Sequence, residues 1–353
     1  MPGQIDRELL RTLCDIYGIS GDEGRVRKKI KEYIAPYVDE MFTDYMGNLI
    51  VTKKCRDKSV INTKRVLLSA HMDEVGMLVR GITEDGSLAI DCRSIDPRVL
   101  ISKRVVVGSD FVPGVIGAKA IHQQSNEEFE HALRYNQIYV DIGATGRKDA
   151  EKYVSVGDPI CFTTKFSDFG EGLMKGKALD DRIGCTIVMQ LLKNDYACDI
   201  YAAFTVQEEC GLRGAIIAAN RIKPHVNLNF EGTTANDIPG SEGHQLVTKL
   251  GEGPALTFMD RTSIISEKMT AALKSSAEKA GARWQIRRGS AGGNDMGVIH
   301  MAAAGCICGG ISVPCRYIHS PCSVASWSDV ENAYAIGDAF LAGNKFDEVT
   351  ENV

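Results

Sequence analysis

The chain has 353 residues, 44% of them hydrophobic and 25% charged, with a formal net charge of -5. That balance belongs to an ordinary globular protein and excludes the Lys and Arg excess by which nucleic-acid binders are recognised. Single cores stop growing near about 250 to 300 residues, so two units are expected.

The opening stretch "MPGQIDRELLRTLCDIYG" carries acidic residues early and has amphipathic helical spacing. A signal peptide would show a basic start and an apolar stretch instead. No run reaches the roughly 20 apolar residues that span a bilayer, so no membrane partner is expected. Helices are predicted over 5–17 and 23–38, the second introduced by the turn and capping chemistry of "SGDE". From "MGNLIVTKK" through "KRVLLSAHMDEVGMLV" short apolar runs broken by charged turns predict strands.

Residues from about 75 to 170 continue as short strands punctuated by Gly, Pro and Asp, among them "GMLVRGI", "GSLAIDC", "RVVVG", "QIYVDIGA" and "PICFTTKF". They predict an all-β unit of domain size. After "KGKALDD" helix and strand alternate: helix 181–194, a strand to 206, a short helix after 213, the strand "VNLNFEG", helix 262–280, the strand "GCICGGISV" and a final helix opened by "SDVE". Such alternation implies an α/β domain with a mixed, mostly parallel sheet flanked by helices. The α/β domain is therefore expected in two segments, 1–74 and 172–353, with the β domain inserted at 75–171.

Eleven cysteines sit singly in apolar segments such as "RIGCTIVM". An odd number without Cys-x-x-Cys spacing points to a reducing cytoplasm, and Cys306 and Cys308 read as core residues.

Chemistry-bearing residues fall at element ends. "LLSAHMDE" ends a strand with His71 and Asp73 on one face, because strand side chains alternate. "KALDDR" places Asp180 and Asp181 at a helix start; "FTVQEEC" places Glu208 and Glu209 at a strand end. Glu231 ends the strand "LNFEGT", and His319 follows the last strand in "VPCRYIHSP". Each has a plain structural reading alone: a core histidine, a helix cap, a loop carboxylate. Together they gather at the carboxyl ends of strands, where α/β sheets collect ligands.

Two imidazoles and several carboxylates suit two divalent ions of the Zn, Co or Mn type, which acidify water and stabilise the oxyanion formed at a carbonyl. Neighbouring residues at a strand end diverge, so one of Glu208 and Glu209 can ligate while the other takes the proton from water. Asp73 fits behind His71, where it would accept the free ring N–H.

The segments "AHMDEVGMLV", "GVIGAKAIH", "IYVDIGA", "VGDPICF", "GKALDDRIG", "VQEECGLRGA", "DIPG" and "VPCRYIHSP" together resemble the M42 family of dinuclear metallo-aminopeptidases, the glutamyl and tetrahedral aminopeptidase group, some of whose members carry an endoglucanase label. The resemblance implies a zinc-peptidase-like domain with a PDZ-like insertion, and removal of N-terminal residues from short peptides. It further implies that Asp180 bridges the metals with a cis peptide to Asp181, that His71 and Glu231 complete one metal and Glu209 and His319 the other, that Glu208 is the general base, and that Asp73 orients His71. Dimers built through the insertion would close into a tetrahedral dodecamer. Many members carry Asp where this chain has Glu231.

Competing readings are a carboxypeptidase, dipeptidase or deacylase of the same metallohydrolase type, a glycosidase using Glu208 with a second carboxylate, and a non-catalytic assembly protein. The glycosidase reading leaves both histidines without a task, and adjacent residues on one strand point apart.

Overall fold

A computed structural model describes residues 5–60, 64–289 and 292–351. The first helix, Arg7–Asp15, starts where the Asp6 carboxylate accepts the Leu9 N–H at 2.9 Å. It buries Leu9, Leu10, Leu13 and Cys14. The second, Gly24–Ile34, is shorter than expected. Pro36 has no N–H to continue the ladder, and the chain tightens into a 3-10 turn over Ala35–Tyr37.

Strands β1 (Glu40–Thr43), β2 (Leu49–Lys53) and β3 (Arg65–His71) come first. The inserted unit supplies β4 (Met77–Ile82), β5 (Leu88–Cys92), β6 (Arg104–Val107), β7 (Val112–Ala118), β8 (Ile138–Asp141) and β9 (Pro159–Phe162). The chain returns with β10 (Ser167–Phe169), β11 (Leu173–Gly176), β12 (Asp199–Thr205), β13 (Val226–Ala235), β14 (Ala255–Thr257), β15 (Gln285–Ile286), β16 (Ile307–Arg316) and β17 (Ser323–Ser326).

The large sheet runs β1-β2-β12-β3-β13-β16-β17-β11-β10, with β14 against β16 and β15 against β14. Parallel pairing is confined to the centre, β12-β3-β13-β16, and to β14-β15. The margins are antiparallel, so the sheet is mixed rather than mostly parallel. Their connections explain it. Asp44 caps the amides of Met46, Gly47 and Asn48 in the tight turn between β1 and β2, and so short a turn permits only antiparallel return. Central strands such as β3 are buried on both faces, as parallel strands under helices must be.

Strands β4-β5-β8-β7-β6-β9 close into a separate barrel. The alternating burial of β4 and β8 turns one row of side chains inward. Its core, with Met77, Ile90, Val105, Val140 and Phe162, is distinct from the core of the large sheet. β10 and β11, which follow the barrel, pair within the large sheet. The segment 122–137 between β7 and β8 contains a short helix, Asn126–Glu130, opened by a capping box of Ser125 and Glu128.

The helix expected over 262–280 begins at Glu267. Asp260 Oδ1 accepts the amides of Thr262 and Ser263 and holds that stretch as a turn, and Ser266 then caps the helix by accepting from Met269. All eleven cysteines are free; Cys308 is buried and Cys306 packs against the core. Among the described residues no helix is long and apolar enough to cross a membrane.

One buried side chain ties these parts together beneath the strand ends. Arg182, fully buried, donates to the carbonyls of Leu13, Ile16, Gly18 and Met72, so the end of the first helix and the chain leaving β3 share one guanidinium. Beside it Lys177 donates to Glu74 and to the Ile16 carbonyl, and both charges are removed from solvent. A buried pair of this kind contributes little net stability, but removing one partner would strand the other charge.

Candidate active site

His71 closes β3 directly opposite Thr205, the last residue of β12. Its backbone N–H donates to Asp181 Oδ2 at 3.1 Å, and Asp181 Oδ1 accepts from Gly184 at 2.9 Å. The two adjacent aspartates therefore separate their tasks. Asp181 is fully buried and consumed by backbone amides, whereas Asp180 faces the histidines across a cis Asp180–Asp181 peptide. Asp180 Oδ1 lies 3.3 Å from His71 Nε2, and Oδ2 lies 3.5 Å from His319 Nε2.

The ring of His71 is fixed from behind. Nδ1 lies 2.9 Å from the main-chain carbonyl of Asp73 and 3.5 Å from its carboxylate. A carbonyl only accepts, so Nδ1 carries a proton there, and Nε2 is the ring nitrogen left to face Asp180. The orienting acceptor is thus the backbone of Asp73; its carboxylate is engaged elsewhere, accepting from Ser20 Oγ at 2.6 Å and from the amides of Glu208 at 3.0 Å and Glu209 at 3.2 Å.

His319 sits in the turn between β16 and β17 with φ +57°, and its Nε2 is 3.3 Å from Glu209 Oε2. Glu209 Oε1 is buried with no hydrogen-bond partner. One ligand atom each from His71, Asp180 and Glu209 falls within 4.8 Å of the others. Glu231 stands outside that group: Asn229 Nδ2 donates to its Oε2 at 2.8 Å, and it lines the same open cleft of about 690 Å³ as Asp180, Glu208 and His319. Next to it Gly232 leaves the room Asp180 occupies, since a Cβ there would stand 2.8 Å from Asp180 Oδ1. Glu208 is 9% exposed.

Electrostatics mark the cluster as short of positive charge. Burial pushes Glu208 well above the usual carboxylate range and Glu209 up to about 7. Burial, with the charges of Glu208 and Asp180 behind it, likewise raises Glu231. Asp180 goes the other way: burial opposes its charge, but the bonds to His319 and His71 outweigh it. Burial also disfavours a charged His319, yet Asp180 and Glu209 lift it to about 9. Four carboxylates are thus crowded against two imidazoles, with one carboxylate oxygen bare. Cations would relieve that burial, and the imidazole and oxygen donors suit a divalent ion of the zinc type.

The turn that follows β12 rests on residues that the strand-end argument did not find. Asn48 Oδ1 accepts the Val206 N–H at 3.0 Å, Glu23 Oε1 accepts that of Gln207 at 3.2 Å, and Asp295 accepts the hydroxyl of Thr205. The glycine-rich run before "NDMG" marks a close approach of backbone and is the one signal in the sequence that points to Asp295.

The sequence model of the M42 glutamyl aminopeptidase family matches residues 47–336. Among solved structures, the aminopeptidase APDkam598 of the archaeon Desulfurococcus kamchatkensis is 31% identical, with a TM-score of 0.91 over 98% of this chain and 97% of its own. The TET aminopeptidase of a marine sediment archaeon of the Thaumarchaeota is 36% identical, with a TM-score of 0.90 over 95% of each chain. The TET1 peptidase of Pyrococcus horikoshii, which can assemble into a tetrahedron or a large octahedral shell, is 30% identical, with a TM-score of 0.82 over 95% of this chain and 98% of its own. With the family model and these folds in agreement, the chain belongs to the M42 glutamyl aminopeptidase family and is a peptide hydrolase.

Proposed function

We propose that the protein is a dinuclear metallo-aminopeptidase that removes N-terminal residues from short peptides. The observation that carries this reading is Asp180, whose two carboxylate oxygens each face a different histidine. In this reading Asp180 with His71 and Glu231 would hold one ion, and Asp180 with Glu209 and His319 would hold the other. Two divalent ions there would acidify water and polarise the scissile carbonyl. Glu208 takes the proton from the attacking water and returns it to the departing amine. Its backbone N–H is already held by Asp73, so the carboxylate is presented from a fixed turn. The peptide's first side chain enters the cleft lined by Thr233, Asp260, Arg287 and Asn294.

Metal-stripped protein, reconstituted separately with Zn, Co and Mn, tests this on a panel of aminoacyl-p-nitroanilides and matched N-acetylated peptides. Hydrolysis is expected to return with metal and to require a free α-amine. Cleavage from a free C-terminus, or of N-acetyl groups, would establish the carboxypeptidase or deacylase alternative. Metal-independent cleavage of a glucan would establish the glycosidase.

The barrel is read as a PDZ-like assembly module. It exposes Leu78, Val115 and Tyr139, and apolar groups of that size left in solvent mark contact surfaces. We expect dimers that close into a dodecamer, as the TET relatives suggest. Light scattering on the metal-loaded protein should give a dodecamer mass; an active monomer at micromolar concentration removes the assembly while leaving the chemistry intact.

A further inference from the structure

Four amides in a row, Val206 to Glu209, donate not to other main-chain groups but to side chains from distant parts of the chain: Asn48, Glu23 and, twice, Asp73. Asn48 and Asp73 are fully buried and Glu23 nearly so. Within this turn Gln207 has φ +55°, a conformation that non-glycine residues adopt only when the surroundings impose it. A turn that holds two carboxylates apart is thus fixed by side-chain acceptors. Its entry, Thr205, is fixed by a further one.

The Thr205 hydroxyl donates to Asp295 Oδ2, and the Ala70 carbonyl lies farther from it at 3.2 Å. Asp295 is 2% exposed, and its second oxygen has no partner. A bare buried acceptor costs stability, so a carboxylate kept there needs a reason beyond folding. The residue opens the helix Met296–Ile299 and continues from Gly292, Gly293 and Asn294, which line the cleft with Glu208 and His319. That wall is clamped hard. A Cβ at Gly293 would stand 2.4 Å from Thr262 Oγ1, one at Gly297 2.2 Å, and Thr262 is itself bound to Asp260.

We infer that Asp295 is a positioning residue for Glu208, acting through the Thr205 hydroxyl to hold the end of β12 against the glycine-rich wall of the cleft. The inference rests on Glu208 being the general base. Asp295 touches no substrate in this account. Its task is to keep the wall that receives the peptide and the turn that presents the base in one register, where a shift of about 1 Å costs on the order of 100-fold in rate.

Steady-state kinetics on an aminoacyl-p-nitroanilide, with metal content measured on each sample, test it. D295A and T205V should each lower kcat by about 10- to 100-fold, with KM and bound metal close to the parent. D295N should recover most of the loss, because its amide oxygen still accepts from Thr205. The double variant D295A/T205V should be no slower than the slower single variant, since both remove one bond. Losses that multiply, a raised KM at unchanged kcat, or an asparagine no better than alanine would overturn the proposal. If D295A does not fold, T205V, which preserves shape, reads the same bond, and full kcat in T205V overturns the proposal. In an E208Q background D295A should add no further loss, and a further loss of the same size breaks the link to Glu208. E208Q turning over at the parent rate would instead overturn the base assignment, an outcome separate from the coupling of Thr205 and Asp295.

Discussion

Glutamine at position 208 is expected to lower kcat by about 100- to 10,000-fold, the range a positioned general base contributes. Bound metal should be unchanged. The amide has the shape of the carboxylate, and the backbone N–H that anchors the turn on Asp73 is untouched. The measurement is turnover alongside elemental analysis of the same sample. Near-parent turnover by metal-loaded E208Q removes Glu208 from the role, whereas loss of metal with activity would make it a ligand.

Alanine at position 180 is expected to abolish both metal sites together. The two oxygens of Asp180 face His71 and His319 separately, and the adjacent Asp181 is not free to replace them, because its oxygens are taken by the amides of His71 and Gly184. Elemental analysis after gel filtration should find less than one ion per chain, with no detectable hydrolysis. Two ions per chain in D180A would show that the bridge lies elsewhere. The effect should exceed that of E208Q, because a missing base leaves bound ions in place and a missing bridge does not.

The strand ends were legible because a buried apolar run that stops on His71, Glu208 or Glu231 announces where the sheet delivers its polar groups. The paired acids of "LDDR" were legible as a helix start, whereas the choice of Asp180 over Asp181 as the outward carboxylate came only with the family resemblance. That choice depends on which backbone amides lie within reach. The same limit hid Asn48, Glu23 and Asp295. Each supports the turn after β12 from a segment far away in sequence, and a hydrogen-bond acceptor in a loop looks alike whether it meets solvent or a distant amide. The role of Asp73 shows this well: period-two alternation put it behind His71, but its carboxylate holds Glu208 and Glu209 while its carbonyl holds the imidazole. The alternation along β4 and β8 announced strands in the insertion, whereas closure of the barrel depends on β4 meeting β9, for which no local pattern exists. β10 and β11 are too short to declare which sheet they join.

Met77, at the start of the barrel, pairs with Ile160 near its end, while in the large sheet His71 must find Thr205. The pairing that assembles the site is therefore one of high contact order, and such pairings are slow. A barrel that has already closed on its own core brings its two ends together. The loop still to be closed then shrinks from roughly 130 residues to roughly 50, which lowers the closure cost by just under about 1 kcal/mol and quickens the search about fourfold. Residues that contribute no side chain to the cleft thus speed the meeting of the strands that form it, and lengthening a loop inside the barrel leaves that advantage untouched so long as its first and last strands still pair.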